Sequence, residues 1–185
     1  MPIWLRRQLP ARPGETNTIL KKYDLSTVCE SALCPNRSEC YSRQTATFMI
    51  LGKVCTRRCG FCAIESGRPQ TISDDEPERV AAAARDLGLE YVVITSVARD
   101  ELPDEGAEHF ARTVRAVQNR IPGVKVEVLT PDFHARPELI RTVVNARPTV
   151  YKHNLETVER LQKKVRPQAA YKRSIQVLET KKRLD

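Results

Sequence analysis

The sequence predicts an α/β protein: a parallel sheet of about four β/α units behind a cysteine-bearing N-terminal extension. Three observations carry that prediction. Short β-favouring runs alternate with amphipathic helical stretches four times over, which calls for a parallel sheet with right-handed crossovers. Tyr91–Ser96 reads YVVITS, apolar at consecutive positions, as in strands covered on both faces. Sulfur-bearing and polar residues fall just after the strands, at the carboxyl ends where such sheets carry their chemistry.

In chain order, residues 1–17 are rich in Pro and Arg and lack periodicity, which predicts an extended arm whose Trp4 and Leu5 can pack on the domain. Residues 29–40 follow no helical or strand period, and Pro35 and Asn36 favour a turn. Thr45–Val54 is a β-favouring run that leads into Cys55. A helix starts at Asp75-Glu76-Pro77, buries Val80, Ala83, Ala84 and Leu87 on one face, and stops at Gly88. Strand Tyr91–Ser96 comes next, then a helix over Glu105–Asn119 with Phe110, Val114 and Val117 on one stripe. After the Pro122-Gly123 turn, Val124–Leu129 is a strand and Pro137–Asn145 a helix carrying Leu139, Ile140, Val143 and Val144. Pro148–Tyr151 is a short strand, Leu155–Lys164 a helix ended by Pro167, and Tyr171, Ile175 and Leu178 mark a last basic helix. The division is an extension over 1–44 and a partial barrel over 45–185.

With 185 residues, 41% hydrophobic and 29% charged, the chain suits one domain with a real core and excludes general disorder. Its formal charge of +8 is concentrated at the end, where residues 160–185 carry nine Lys and Arg against Glu179 and Asp185. No aromatic-interleaved RNA motif, zinc finger or helix-turn-helix pattern accompanies that charge, so it reads as a solvated helix face and no nucleic-acid partner is expected. The first fifteen residues lack the apolar core of a secretory signal, and no apolar run approaches a membrane span. Six cysteines without such a signal point to reduced thiols in the cytoplasm, where clustered thiols serve as metal ligands more often than as disulfides.

The cysteines fall into two triads. Cys55-Thr-Arg-Arg-Cys59-Gly-Phe-Cys62 has the spacing C-x3-C-x2-C, with spacers too short for the thiols to reach separate sites. Three ligands are one short of the four that a closed zinc or iron–sulfur site uses, which leaves an iron open to a substrate or cofactor. A structural zinc loop with a fourth ligand from elsewhere is the alternative. Cys29-x4-Cys34-x5-Cys40 is the second triad, read as a further cluster loop, with structural cysteines or zinc as the alternative.

The first loop, with Phe61 just before Cys62, resembles the cluster loop of radical S-adenosylmethionine (SAM) enzymes. Together the two triads and the words TATFMILG, CTRRCGFCAI, VITSVARDELPDEGAEHF, VEVLTPDF and HNLETVERLQKKVRP resemble the lipoyl synthase family from about residue 20 onward. The resemblance implies an α/β fold of the radical SAM type, an incomplete (β/α) barrel of about four β/α units, and a sulfurtransferase that inserts sulfur at C6 and C8 of an octanoyl group. It implies two [4Fe–4S] clusters and SAM as cofactors. Cys55, Cys59 and Cys62 would hold the cluster that chelates and reductively cleaves SAM; Cys29, Cys34 and Cys40 would hold an auxiliary cluster that donates sulfur. Phe61, Thr95, Ser96, Asn154 and Glu156 are the implied SAM contacts. An amide and a carboxylate suit the ribose diol, although Glu156 also fits the first turn of its expected helix, where acids are favoured. The implied partners are an octanoylated carrier, either an E2 lipoyl domain or the glycine-cleavage H protein, and an electron donor such as ferredoxin or flavodoxin.

His109 and His134 read as surface or helix-face residues, and His153 as orienting its loop. The chain departs from the family at Ala98, where Asp is usual, and at Lys152, where Asn is usual. It also stops at Asp185 before the family's C-terminal serine-bearing motif, so the expectation is a truncated member. Two other functions fit the same cysteines: a radical SAM sulfur-inserting enzyme related to biotin synthase, and a non-catalytic iron–sulfur module.

Overall fold

The computed structural model describes residues 14–43 and 45–184. Five strands form the main sheet, in the spatial order β1 (Ser26–Thr27), β2 (Thr47–Ile50), β5 (Tyr91–Ser96), β6 (Lys125–Leu129) and β7 (Val150–Lys152). The short pair β3 (Val54–Cys55) and β4 (Glu65–Ser66) stands apart from it. Strands β2, β5, β6 and β7 are parallel, with Met49 opposite Thr95, Thr95 opposite Leu129, and Leu129 opposite Lys152. β1 runs antiparallel to β2 at the sheet edge, Thr27 opposite Phe48.

Helices α4 (Glu76–Asp86), α5 (Ala107–Arg120) and α6 (Pro137–Asn145) make the crossovers, and α8 (Tyr171–Leu184) follows β7. Strand alternation turns Phe48, Ile50, Val92, Ile94, Val126 and Val128 to one face, where all are fully buried. The stripes expected from the sequence meet that face: Val80, Ala83 and Ala84 of α4, Phe110, Val114 and Val117 of α5, and Ile140 and Val143 of α6 are each 0% exposed. On the opposite face Val93, Leu129 and Val150 remain partly exposed. This is a partial barrel of β/α units, with strands and helices in the predicted order.

Four expectations are corrected. Residues 14–17 open α1 (Gly14–Lys22) instead of ending an extended arm; Trp4 and Leu5 lie outside the described residues. The 29–40 loop is partly helical, with α2 (Val28–Ser31) capped by the Thr27 hydroxyl, which accepts from Glu30 N–H at 3.3 Å, and α3 (Arg37–Ser42) after the turn. The run into Cys55 is not one strand, because Leu51 at φ 70° and Gly52 at φ 97° bend it out of the sheet. Leu51 is held there by the Glu76 carboxylate on its N–H at 2.9 Å and by Arg99 on its carbonyl at 2.7 Å. The fourth correction is at 155–164. Only a 3₁₀ turn over Glu159–Leu161 and α7 (Gln162–Val165) form. Glu156 sits at φ 65°, which no right-handed helix accommodates, and Arg166 takes the carbonyls of Asn154 and Leu155 that a helix would have used.

Candidate metal centre

Cys55 ends β3, beyond the carboxyl end of β2, and the chain then loops through Cys59 and Cys62 to β4. Two backbone N–H groups point at the Cys55 sulfur, from Arg57 at 3.4 Å and Ala98 at 3.3 Å. They favour negative charge on that sulfur, so the backbone at Ala98 serves the loop whatever the side chain there. Burial pushes the Cys59 thiol up; the Arg166 guanidinium pulls it down, and neighbouring Cys55 and Cys62 add to the rise. Cys59 is thus the thiol that senses both of the others. In neither triad, however, do all three sulfurs lie within 4.8 Å of one another. Thiolates on one tetrahedral zinc stand about 3.8 Å apart, given bonds of about 2.3 Å. The triads therefore do not stand as ligands of one zinc, whereas a polynuclear cluster, in which each cysteine takes its own iron, requires a wider spacing.

The loop is stitched down on two sides. Gly60 N–H donates to Val165 O at 2.9 Å, Arg58 N–H to Gln168 Oε1 at 2.5 Å, and Gln168 Nε2 to Thr56 O at 3.2 Å. On the other side Thr56 and Arg57 reach Asp100, and Arg57 reaches Asp132. Burial alone would lower the Arg57 pKa and raise those of Asp100 and Asp132, but their mutual hydrogen bonds and charge reverse both, so all three stay ionised. Asp100, Glu105 and His134 form the one trio of possible metal ligands within 4.8 Å among the described residues. It is an ion-pair group: Glu105 Oε1 accepts from His134 Nδ1 at 2.7 Å and Arg136 at 3.0 Å, and Asp100 is committed to Arg57.

Cys29, Cys34 and Cys40 lie elsewhere. The β1–β2 register carries Cys29 to the amino end of β2, where burial pushes its thiol up, Thr47 N–H draws it down, and Cys34 and Cys40 raise it again. The two triads thus occupy opposite ends of one strand, and only the 55–62 loop obeys the carboxyl-end rule. Tyr41 fastens the second loop, its hydroxyl 2.6 Å from Thr27 Oγ1 and its carbonyl accepting from Thr16 at 2.8 Å.

Among the expected SAM contacts, Thr95 donates to Leu129 O at 3.0 Å, so its hydroxyl serves the sheet. Ser96 Oγ is buried with no hydrogen-bond partner, an orphaned polar atom at the carboxyl end of β5 that a bound polar ligand would satisfy. Phe61 is 55% exposed beside the exposed Cys62. Asn154 Nδ2 donates to Glu156 Oε1 at 2.8 Å, so amide and carboxylate stand together in an exposed loop, and the helix-first-turn explanation of Glu156 no longer applies. Lys152 pairs with Glu127 at 2.8 Å, which gives that departure from the family a partner within the sheet. His109 is a helix-face residue of α5, as expected, and is buried against Glu76 at 2.7 Å. His153 is buried between Thr130 and Ser174.

Sequence reasoning missed Arg57, Asp100, Arg166 and Gln168. Arg57 and Asp132 are 75 residues apart, and nothing local marks such a pair. Arg166 bears on both Cys59 and the Asn154 carbonyl. Its place in the VRP word was the available signal.

The Radical SAM superfamily profile matches residues 49–185. Over its full length the chain is 54% identical to a lipoyl synthase of Rubrobacter xylanophilus, 55% to one of Caldanaerobacter subterraneus and 51% to one of Rhodopirellula baltica. It spans 58%, 65% and 60% of the lengths of those relatives. Among solved structures, methylornithine synthase matches with a TM-score of 0.57 at 13% identity, over 74% of this chain and 40% of that one, a likeness of fold alone. Both cysteine triads lie within the span shared with the lipoyl synthases, and the chain belongs to the Radical SAM superfamily.

Proposed function

We propose that the chain performs lipoyl synthase chemistry, inserting two sulfur atoms at C6 and C8 of an octanoyl group carried on a protein lysine. The observation that carries this reading is the pair of cysteine triads at opposite ends of β2. The strand spans about 10 Å at about 3.3 Å per residue, comparable to an extended eight-carbon chain. Val93, Leu129 and Val150 on the half-open face of the sheet offer such a chain apolar contact.

Cys55, Cys59 and Cys62 would hold one [4Fe–4S] cluster and Cys29, Cys34 and Cys40 the auxiliary one. Bound there, a cluster with SAM would supply the radical chemistry that an unactivated C–H bond requires, and the auxiliary cluster would supply sulfur. Ser96 would meet the methionine part of SAM, Asn154 and Glu156 its ribose diol, and Phe61 would cover the ligand. Thr95, already bonded to Leu129, would support Ser96 through the sheet. Residues 1–44 act as the carrier of the auxiliary triad against the barrel of 45–185. The acyl carrier is an E2 lipoyl domain or the glycine-cleavage H protein, the donor is a ferredoxin or flavodoxin, and the setting is the cytoplasm.

The test is anaerobic iron–sulfur reconstitution, then incubation with SAM, dithionite and an octanoyl-lysine peptide. Formation of 5′-deoxyadenosine together with two sulfurs on the peptide is the expected result. Zinc in place of iron, or bound iron without SAM cleavage, would refute the catalytic reading. Sulfur insertion into a biotin precursor instead would assign the chain to the biotin-synthase type.

A further inference from the structure

Between the first two cysteines of the 55–62 loop, one side chain turns inward. Arg57 is 5% exposed, and its guanidinium makes four charge-assisted hydrogen bonds: Nε to Asp100 Oδ1 and Oδ2 at 3.1 and 2.8 Å, and Nη2 to Asp100 Oδ1 and Asp132 Oδ1 at 2.6 and 2.7 Å. Asp132 is fully buried beyond the carboxyl end of β6 and also receives Arg173 at 3.4 Å and His134 N–H at 3.2 Å. Asp100 exchanges two hydrogen bonds with Thr56, whose Oγ1 also donates to Ala98 O at 3.1 Å. Consecutive loop residues are thereby fixed to segments that follow β5 and β6. A planar guanidinium fork gripping two carboxylates sets direction as well as distance.

The consequence appears one atom away from the metal ligand. The two N–H groups that point at Cys55 Sγ belong to Arg57 itself and to Ala98, the residue that Thr56 holds. We propose that Arg57 is a positioning residue: its grip on Asp100 and Asp132 keeps the Cys55 sulfur under these two N–H groups, and so sets the retention and reduction potential of what the triad binds. The proposal rests on reading the 55–62 loop as an iron–sulfur loop. Hydrogen bonds to ligand sulfur favour the reduced, more negative state. Loosening them makes reduction harder.

Arg173 provides the control, since it binds the same buried carboxylate from α8 and makes no hydrogen bond to the cysteine loop. The experiment compares Arg57→Lys, Arg57→Met and Arg173→Met with the parent chain. All are prepared with Cys29, Cys34 and Cys40 changed to Ala so that one cluster is observed. Midpoint potential without SAM, iron loss to a chelator, and melting temperature are read together. Arg57→Lys keeps the charge without the fork and is expected to lower the potential and lose iron roughly tenfold faster; Arg57→Met should go further. Arg173→Met should lower melting alone. If Arg57→Lys melts lower yet keeps the parent potential and iron-loss rate, Arg57 is only a fold anchor and the proposal is overturned. Equal shifts in Arg57→Lys and Arg173→Met overturn it too. A parent chain that takes up no iron refutes the underlying reading of the loop instead. Should Arg57→Met not fold, the lysine variant decides.

Discussion

Ser174 donates its hydroxyl to Nε2 of His153 across 2.9 Å, while the other imidazole nitrogen donates to Thr130 O, also at 2.9 Å. This fixes a neutral ring with its proton on Nδ1 and ties the end of β7 to α8 and to the end of β6. Burial holds His153 below the ordinary imidazole value of 6.5, although the Thr130 carbonyl and Asp132 pull it upward; Arg166 and Arg57 face it as cations. In the unfolded chain the ring takes up a proton near 6.5, but in the folded chain only at lower pH. Stability is therefore full above about pH 6.5, declines as pH drops below it, and stops declining once the folded ring titrates. Urea midpoints taken at about pH 7.5 and 5.5 should show this decline, and His153→Gln should flatten it. An unchanged slope in the variant would place the acid sensitivity elsewhere.

Much of this fold could be read from the chain because local signals agreed with the tertiary result. Phe110, Val114 and Val117 repeat at helical spacing and all face the sheet. The illegible parts are those decided by long-range partners. Glu76 reads as a helix-start acid, yet it also holds the Leu51 N–H and His109, 25 and 33 residues away. Arg166 empties the helix expected at 155–164 by claiming two of its carbonyls. Both cysteine triads were legible by spacing. Their placement at opposite ends of β2 was not, since only the β1–β2 register decides it.

Gly106 should tolerate no side chain. A Cβ there would collide with Leu51 Cδ1, and the residue sits at φ 85°. Leu51 is itself fully buried at φ 70° and cannot swing aside. Gly106→Ala should cost about 1–3 kcal/mol, measured by urea unfolding. Leu51→Ala in the same chain should recover part of that loss, because it removes the clashing methyl while the backbone strain stays.

Phe133, His134 and Ala135 stand consecutively at φ 43°, 47° and 55°, a left-handed turn after β6 held by Asp132, which accepts from His134 N–H. Each such L-residue costs about 1–2 kcal/mol against a right-handed conformation. Ala135→Gly should relieve that strain while adding unfolded-state entropy of about 0.4–1 kcal/mol. The expected net result is a gain of up to about 1 kcal/mol in unfolding free energy. A loss would mean that the Ala135 methyl, which packs on the core, contributes more than the strain it imposes.

The two cysteine triads should load independently. Changing Cys29, Cys34 and Cys40 to Ala should remove about half of the iron and sulfide bound after reconstitution, given four irons per cluster. Changing Cys55, Cys59 and Cys62 to Ala should remove the other half, and both changes together should remove all of it. Only the second set should abolish the change that SAM produces in the electron paramagnetic resonance spectrum of the reduced protein, because the proposed function assigns SAM to that loop. The separation along β2 is the reason to expect two centres. Loss of all iron from either set alone would show that the triads hold a single centre, or that the first cannot assemble without the second.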